Sequence, residues 1–128
     1  MKYLIFGKGD LAREIVSFMN LKNNDYKMLD KDDLLSLNYN EIDKNVNILL
    51  AFSDPKLKEK YHVKLKSYNL RISSFVHESV IIGSNVKIGE GVIIFPNCVI
   101  SNDTIINDLV FINICSNIGH DNIIGSYS

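Results

Sequence analysis

His120 stands beside Asp121 in the run NIGHDNIIGSYS, Asn117 to Ser128. An imidazole changes charge near neutral pH, so it can take a proton from an attacking nucleophile. A carboxylate next to it orients the ring and favours its charged form. That is the chemistry of a general base; the plain alternative is a surface histidine at a turn. A second stretch, Gly7-Lys8-Gly9-Asp10-Leu11-Ala12, fits G-x-G-x-x-A between an apolar strand and a helix. Glycines there let backbone approach a phosphate, and a helix N-terminus favours anions. The alternative is a tight turn with no ligand. Asp30 closes the next apolar stretch and is placed to accept hydrogen bonds from a ribose or base, or to serve as a solvated turn acid in LDKDD. His62 and His77 read as structural. Cys98 and Cys115 lack metal-ligand spacing, so no metal is expected, and both read as reduced thiols of a cytoplasmic protein.

What must position His120 is a six-residue repeat. Every sixth residue from Val76 is Val or Ile: Val76, Ile82, Ile88, Ile94, Ile100, Ile106, Ile112, Ile118 and Ile124. A second row, Val80, Val86, Val92, Cys98, Thr104, Val110, Ser116 and Asn122, carries smaller side chains. Period six does not match the 3.6-residue period of a helix, and β-branched residues favour strands. One straight strand would be far too long. A short strand and a bend in every hexad, coiled into a prism, buries the aliphatic row against the coil above. Gly83, Gly89, Gly119 and Gly125, with Asn residues, are expected to take left-handed conformations at the bends.

The Gly7 loop sits in a different pattern. Lys2–Phe6, Tyr26–Leu29 and Val46–Phe52 read as apolar strands, and Leu70–Val76 as a last strand leading into the prism. Helical spacing places Leu11, Ile15, Phe18 and Met19 on one stripe, and Leu57, Tyr61, Leu65 and Tyr68 on another. Asp33–Leu37 reads as a helical turn. Ser53-Asp54-Pro55 is a helix start, with a capping side chain and then Pro in the first turn. Strands alternating with helices imply a small parallel sheet with covered faces. About 70 residues supply less sheet than a dinucleotide needs, so a mononucleotide or nucleotide sugar fits better.

Charge divides the chain at the same place. Thirteen of the fourteen basic residues precede Val76, against ten of the fifteen acids, so the first part is +3 and the second −4. The expected domains are therefore 1–75 and 76–128, with the first the better host for an anionic ligand. A net charge of −1 argues against nucleic acid as a partner. No apolar run approaches the roughly 20 residues of a membrane span. The start, MKYLIFGKGD, reads as no signal peptide.

The segments IFGKGDLAREI, LLAFSDPKLKEK, SSFVHESVIIG, IIFPNCVI and INICSNIGHDNIIG occur in an order that resembles the sialic-acid O-acetyltransferase and UDP-4-amino-sugar N-acetyltransferase group (NeuD/PglD type) of bacterial hexapeptide acyltransferases. The likeness covers Met1 to Ser128. Its most specific part is Asn113 followed seven residues later by His120-Asp121. It implies a Rossmann-like domain holding a UDP-sugar near Gly7, Lys8, Gly9, Asp30 and Ser53. It implies a left-handed parallel β-helix that forms homotrimers with active sites between subunits. His120 would be the base as a sugar amine attacks acetyl-CoA, Asp121 would tune it, and Asn113 would help place substrate. Members of the group continue for several more coils, which supply another histidine and most of the acetyl-CoA site. They often carry an additional Gly-His pair in the first loop. The 128-residue chain is accordingly expected to bind sugar nucleotide better than it transfers acetyl. O-acetylation of a sialic-acid-type sugar, or a non-catalytic sugar-nucleotide-binding or oligomerising role, are the alternative functions.

Overall fold

The computed structural model describes Met1 to Ser128, which divide into two compact units, Met1–Ser73 and Ser74–Ser128. The first is built on a three-stranded parallel sheet in the order β2-β1-β3, with β1 Tyr3–Phe6 in the middle, β2 Tyr26–Leu29 and β3 Asn47–Leu50. Phe6 is level with Leu29 on one side and Leu50 on the other. Ile5, Phe6, Ile48 and Leu49 are fully or almost fully buried, as strands covered on both faces require. Helix α1, Asp10–Phe18, contributes Ala12 and Ile15 to the core; α3, Pro55–Ser67, contributes Tyr61 and Leu65. The Phe6 ring meets Tyr39 and Tyr61 edge to face at 6.3 and 5.7 Å.

Three expectations change here. Leu57 lies off the buried stripe of α3, and Lys58 is buried in its stead at 3% exposure. Burial pushes the Lys58 amine below its ordinary range. The helical turn at Asp33–Leu37 becomes α2, Lys31–Ser36, because Asp30 caps it and starts it earlier. Leu70–Val76 is not one strand. Ile72 makes a single parallel bridge to Ile48, and the chain then leaves the sheet. Phe75–Val76 belongs to the second unit, where the Phe75 N–H donates to the Val92 carbonyl at 2.9 Å.

The second unit consists of nine two-residue strands in three parallel sheets: β4-β7-β10, β5-β8-β11 and β6-β9-β12. Strands β4, β5 and β6 begin at Phe75, Ile81 and Lys87; β7, β8 and β9 at Ile93, Val99 and Ile105; β10, β11 and β12 at Phe111, Asn117 and Ile123. Each coil therefore takes 18 residues, and every strand lies against the one 18 residues away, Val76 on Ile94 on Ile112 for example. This is a three-sided parallel β-helix. Its core holds Val92, Ile94, Cys98, Ile100, Ile106, Val110 and Ile112. The second row of the repeat also points inward. Two of its members reach a carbonyl of the coil above: Cys98 Sγ donates to Asn113 O at 2.9 Å, and Thr104 Oγ1 to Gly119 O at 3.1 Å.

The bends are built differently from the sequence expectation. Left-handed backbone recurs every six residues, at Asn85, Gly91, Asn97, Asp103, Leu109, Cys115, Asp121 and Tyr127, with φ between 55° and 69°. Gly83, Gly89, Gly119 and Gly125 are not among them. Gly83 and Gly89 serve close approach instead. A Cβ on Gly83 would lie 2.8 Å from the Asn102 nitrogen, and one on Gly89 2.9 Å from the Asp108 nitrogen, both in the coil above. A Cβ on Gly125 would meet nothing within 4 Å.

Candidate active site

His120 sits at a corner of the third coil, between β11 and β12, with Asp121 in the left-handed bend position at φ 55°. The bend turns the Asp121 carboxylate back onto its neighbour, so Oδ2 lies 2.6 Å from His120 Nδ1. Both side chains are open to solvent, at 73% and 67% exposure. With Asp121 accepting from Nδ1–H, Nε2 is the ring atom left to accept a proton. Neighbouring corners fix the height of this one: the Asp121 N–H donates to Asn102 O at 3.1 Å. Below it, on the outer face of β5 and β8, runs a groove of about 560 Å³ lined by Ile81, Gly83, Val99, Ser101, Asn102 and Asp103.

Asn113 is at the preceding corner of the same coil, on the other side of β11, and its hydrogen bonds go to residues other than His120. Its side-chain oxygen accepts from the Ile114 N–H at 2.8 Å, and its carbonyl accepts from Ser116 Oγ at 2.8 Å. Within one chain it holds its own bend. His77 does the same at the first corner, where Nδ1 accepts from the Ser79 N–H at 3.1 Å.

In the first unit the ends of the three strands lead into three helix N-termini that are not alike. Asp30 caps α2: its Oδ1 accepts from the Asp33 N–H at 2.8 Å, while Asp33 Oδ2 accepts from the Asp30 N–H at 3.0 Å. This is a capping box. The Asp33 amide holds the Asp30 carboxyl below its usual range, helped by the Asp33 side chain and by Lys8. Asp54 caps α3 through the Lys56 N–H at 2.9 Å. Helix α1 alone starts without a side-chain cap, at Gly9. Its first N–H groups therefore lack a carboxylate partner of that kind.

The two loop glycines have separate reasons. Gly7 has φ +122°, and a Cβ there would lie 2.8 Å from Ala51 O, so the turn itself demands glycine. Gly9 has no such need, since a Cβ would meet nothing within 4 Å. Lys8 and Ser53 are exposed beside these turns. Asp10, in the first turn of α1, is ion-paired with Arg13. Asp30, expected as an acceptor for a ribose or base or as a solvated turn acid, is instead a helix cap, and D-x-x-D at Asp30 and Asp33 is its signal in the sequence; the stacked corner beneath His120, with Asn85, Asn102 and Asp103, has no such local signal.

No family model matches the chain. In sequence it is similar to GDP-perosamine N-acetyltransferase of Escherichia coli O157:H7, with 26% identity over 145 positions covering 98% of this chain. It spans 65% of that relative's length. In fold it is similar to PerB from Caulobacter crescentus, solved with CoA and GDP-perosamine, at a TM-score of 0.83 and 21% identity. That match covers 100% of this chain and 67% of PerB. It is also similar to the acetyltransferase domain of PglB from Neisseria gonorrhoeae FA1090, at a TM-score of 0.79 and 14% identity, covering 99% and 69% of the two chains. The resemblance holds at the level of the class: the relatives are named as perosamine N-acetyltransferases and an acetyltransferase domain. The match in sequence is a perosamine enzyme of Escherichia coli, and one match in fold is a perosamine enzyme of Caulobacter crescentus.

Proposed function

We propose that the chain is part of an N-acetyltransferase that moves an acetyl group from coenzyme A to the amine of a nucleoside-diphosphate-linked sugar. The observation that carries this reading is the His120–Asp121 pair, with Nε2 turned to solvent at a β-helix corner. An amine attacking a thioester must lose a proton, and Nε2 is positioned to take it while Asp121 steadies the ring. The atoms balance: the N–C bond forms, the C–S bond breaks, the amine proton goes to His120, and the thiolate of CoA leaves. Asn113 would help place the sugar from the next corner. In the first unit, taken as Rossmann-like, the uncapped N-terminus of α1 and the open space beside Gly9 suit a diphosphate, with Lys8 and Ser53 nearby and Asp30 within the same set of turns.

The resemblance implies uridine in this nucleotide, whereas the perosamine relatives carry GDP in their names. Titration with UDP- and GDP-linked amino sugars separates the two. The fit to coenzyme A is partial. The β-helix has one cation, Lys87, against five acids, so these coils offer the thioester end a base but the phosphates no cluster of cations. O-acetylation of a sialic-acid-type sugar has no comparable support. Left-handed winding and a homotrimer belong to the same proposal; the exposed Ile81, Val99 and Ile123 on the β-helix faces are apolar surface that a trimer would cover. Thiol release from acetyl-CoA in the presence of each amino-sugar nucleotide tests the reaction, and light scattering tests the trimer.

A further inference from the structure

The left-handed positions at the corner that carries His120 differ from those at the other two. Left-handed bend positions stack in columns one coil apart. One column reads Gly91, Leu109, Tyr127, and another Asn97, Cys115. The His120 column reads Asn85, Asp103, Asp121. It places two acids on successive coils, about 4.8 Å apart by the rung spacing of a parallel sheet. Like charges so close repel. The backbone nevertheless holds the stack in register: the Asp103 N–H donates to Ser84 O at 3.0 Å, and the Asp121 N–H to Asn102 O at 3.1 Å.

Two amides clamp the lower acid. Asn85 Nδ2 donates to Asp103 Oδ1 at 2.8 Å, and Asn102 Nδ2 to Asp103 Oδ2 at 2.7 Å. Asn85, then Asn102, and lastly the His120 charge hold the Asp103 carboxyl below its usual range. Asn102 is also the residue whose carbonyl receives the Asp121 N–H. One small network thus joins the bend of the His120 corner to an ionised carboxylate beneath it.

We propose that Asp103 is a positioning residue for the His120–Asp121 pair: clamped by Asn85 and Asn102, it presents a second carboxylate to the imidazole and stabilises the ring once it has accepted a proton. The inference rests on the base assignment for His120, and the charges it invokes at this corner are Asp103, Asp121 and His120. Loss of the lower carboxylate leaves the Asp121 contact but removes a charge about one rung away.

The test is 15N spectroscopy of the histidine rings in the 128-residue chain, at one pH near the ordinary histidine midpoint of about 6.5. In D103N the doubly protonated share of the His120 ring falls. N85A, which loosens the clamp without removing charge, gives a smaller fall in the same direction. E78Q, which removes an acid of the same unit away from this corner, leaves the ring unchanged. An unchanged His120 ring in a folded D103N, or an equal fall in E78Q, overturns the proposal. Thiol release by H120A is measured alongside: retained turnover there would sink the base assignment, whereas lost turnover with an unmoved ring in D103N would sink only the role of Asp103.

Discussion

In the first unit a residue's role depends on which strand end or helix turn it meets; in the β-helix it depends on its place in a count of six. Gly7 and Gly83 show the difference. Gly7 is demanded by a single turn with φ +122°, and nothing six residues away shares its reason. Gly83 and Gly89 repeat one reason, the close passage of the next coil, at one spacing. A periodic unit therefore concentrates its sensitivity in rows, whereas the small parallel sheet distributes it over individual positions.

The largest effect expected from this contrast is in the aliphatic row. Ile100 is fully buried in the β-helix core, and Ile100→Asp places an unpaired charge there. The second unit should lose its cooperative melt; an unchanged melting temperature would refute the inward row. Next come the glycines. Gly89→Ala should destabilise by about 1–3 kcal/mol because its Cβ meets the Asp108 and Asn107 backbone. An unchanged melting temperature would break the close-approach account. In the first unit, Gly7→Ala should destabilise, through both its φ and its contact with Ala51 O, whereas Gly9→Ala should not. Gly9→Val should leave stability intact yet weaken binding of the nucleotide sugar, read by calorimetry.

The smallest effect concerns the α2 cap. The Asp30 carboxyl is held below its usual value, so its contribution to stability is present above the ordinary carboxylate range and is lost as pH falls through the lowered value. The Asp33 amide signal should follow that titration in NMR. An amide that moves at the ordinary aspartate pH, or not at all, would contradict the capping box.

Legibility in the sequence follows the same division. The row from Val76 to Ile124 gave away the coils because nothing but a stacked strand needs one aliphatic residue in six. Tyr26–Leu29 and the Asp54-Pro55 helix start were legible from local chemistry alone. The left-handed bends were not: Leu109, Cys115 and Tyr127 are poor turn residues, each held there by an N–H that donates to a carbonyl of the coil below. Leu70–Val76 looked like one strand because composition cannot show that Ile72 pairs with β3 while Phe75 pairs with β7. At the candidate site, His120 and Asp121 were legible as a pair, but the amides gripping Asp103 come from Asn85 and Asn102, and the pairing one coil apart needed the 18-residue register.

The central claim is that His120 is the base of an amino-sugar acetyl transfer. It is tested most directly by thiol release from acetyl-CoA with GDP- and UDP-linked amino sugars, on the protein as its reading frame encodes it, comparing the native residue with His120→Ala. The account predicts turnover that drops by about 10²–10⁴ in the variant, with sugar-nucleotide affinity nearly unchanged. Full turnover by the His120→Ala protein would contradict it.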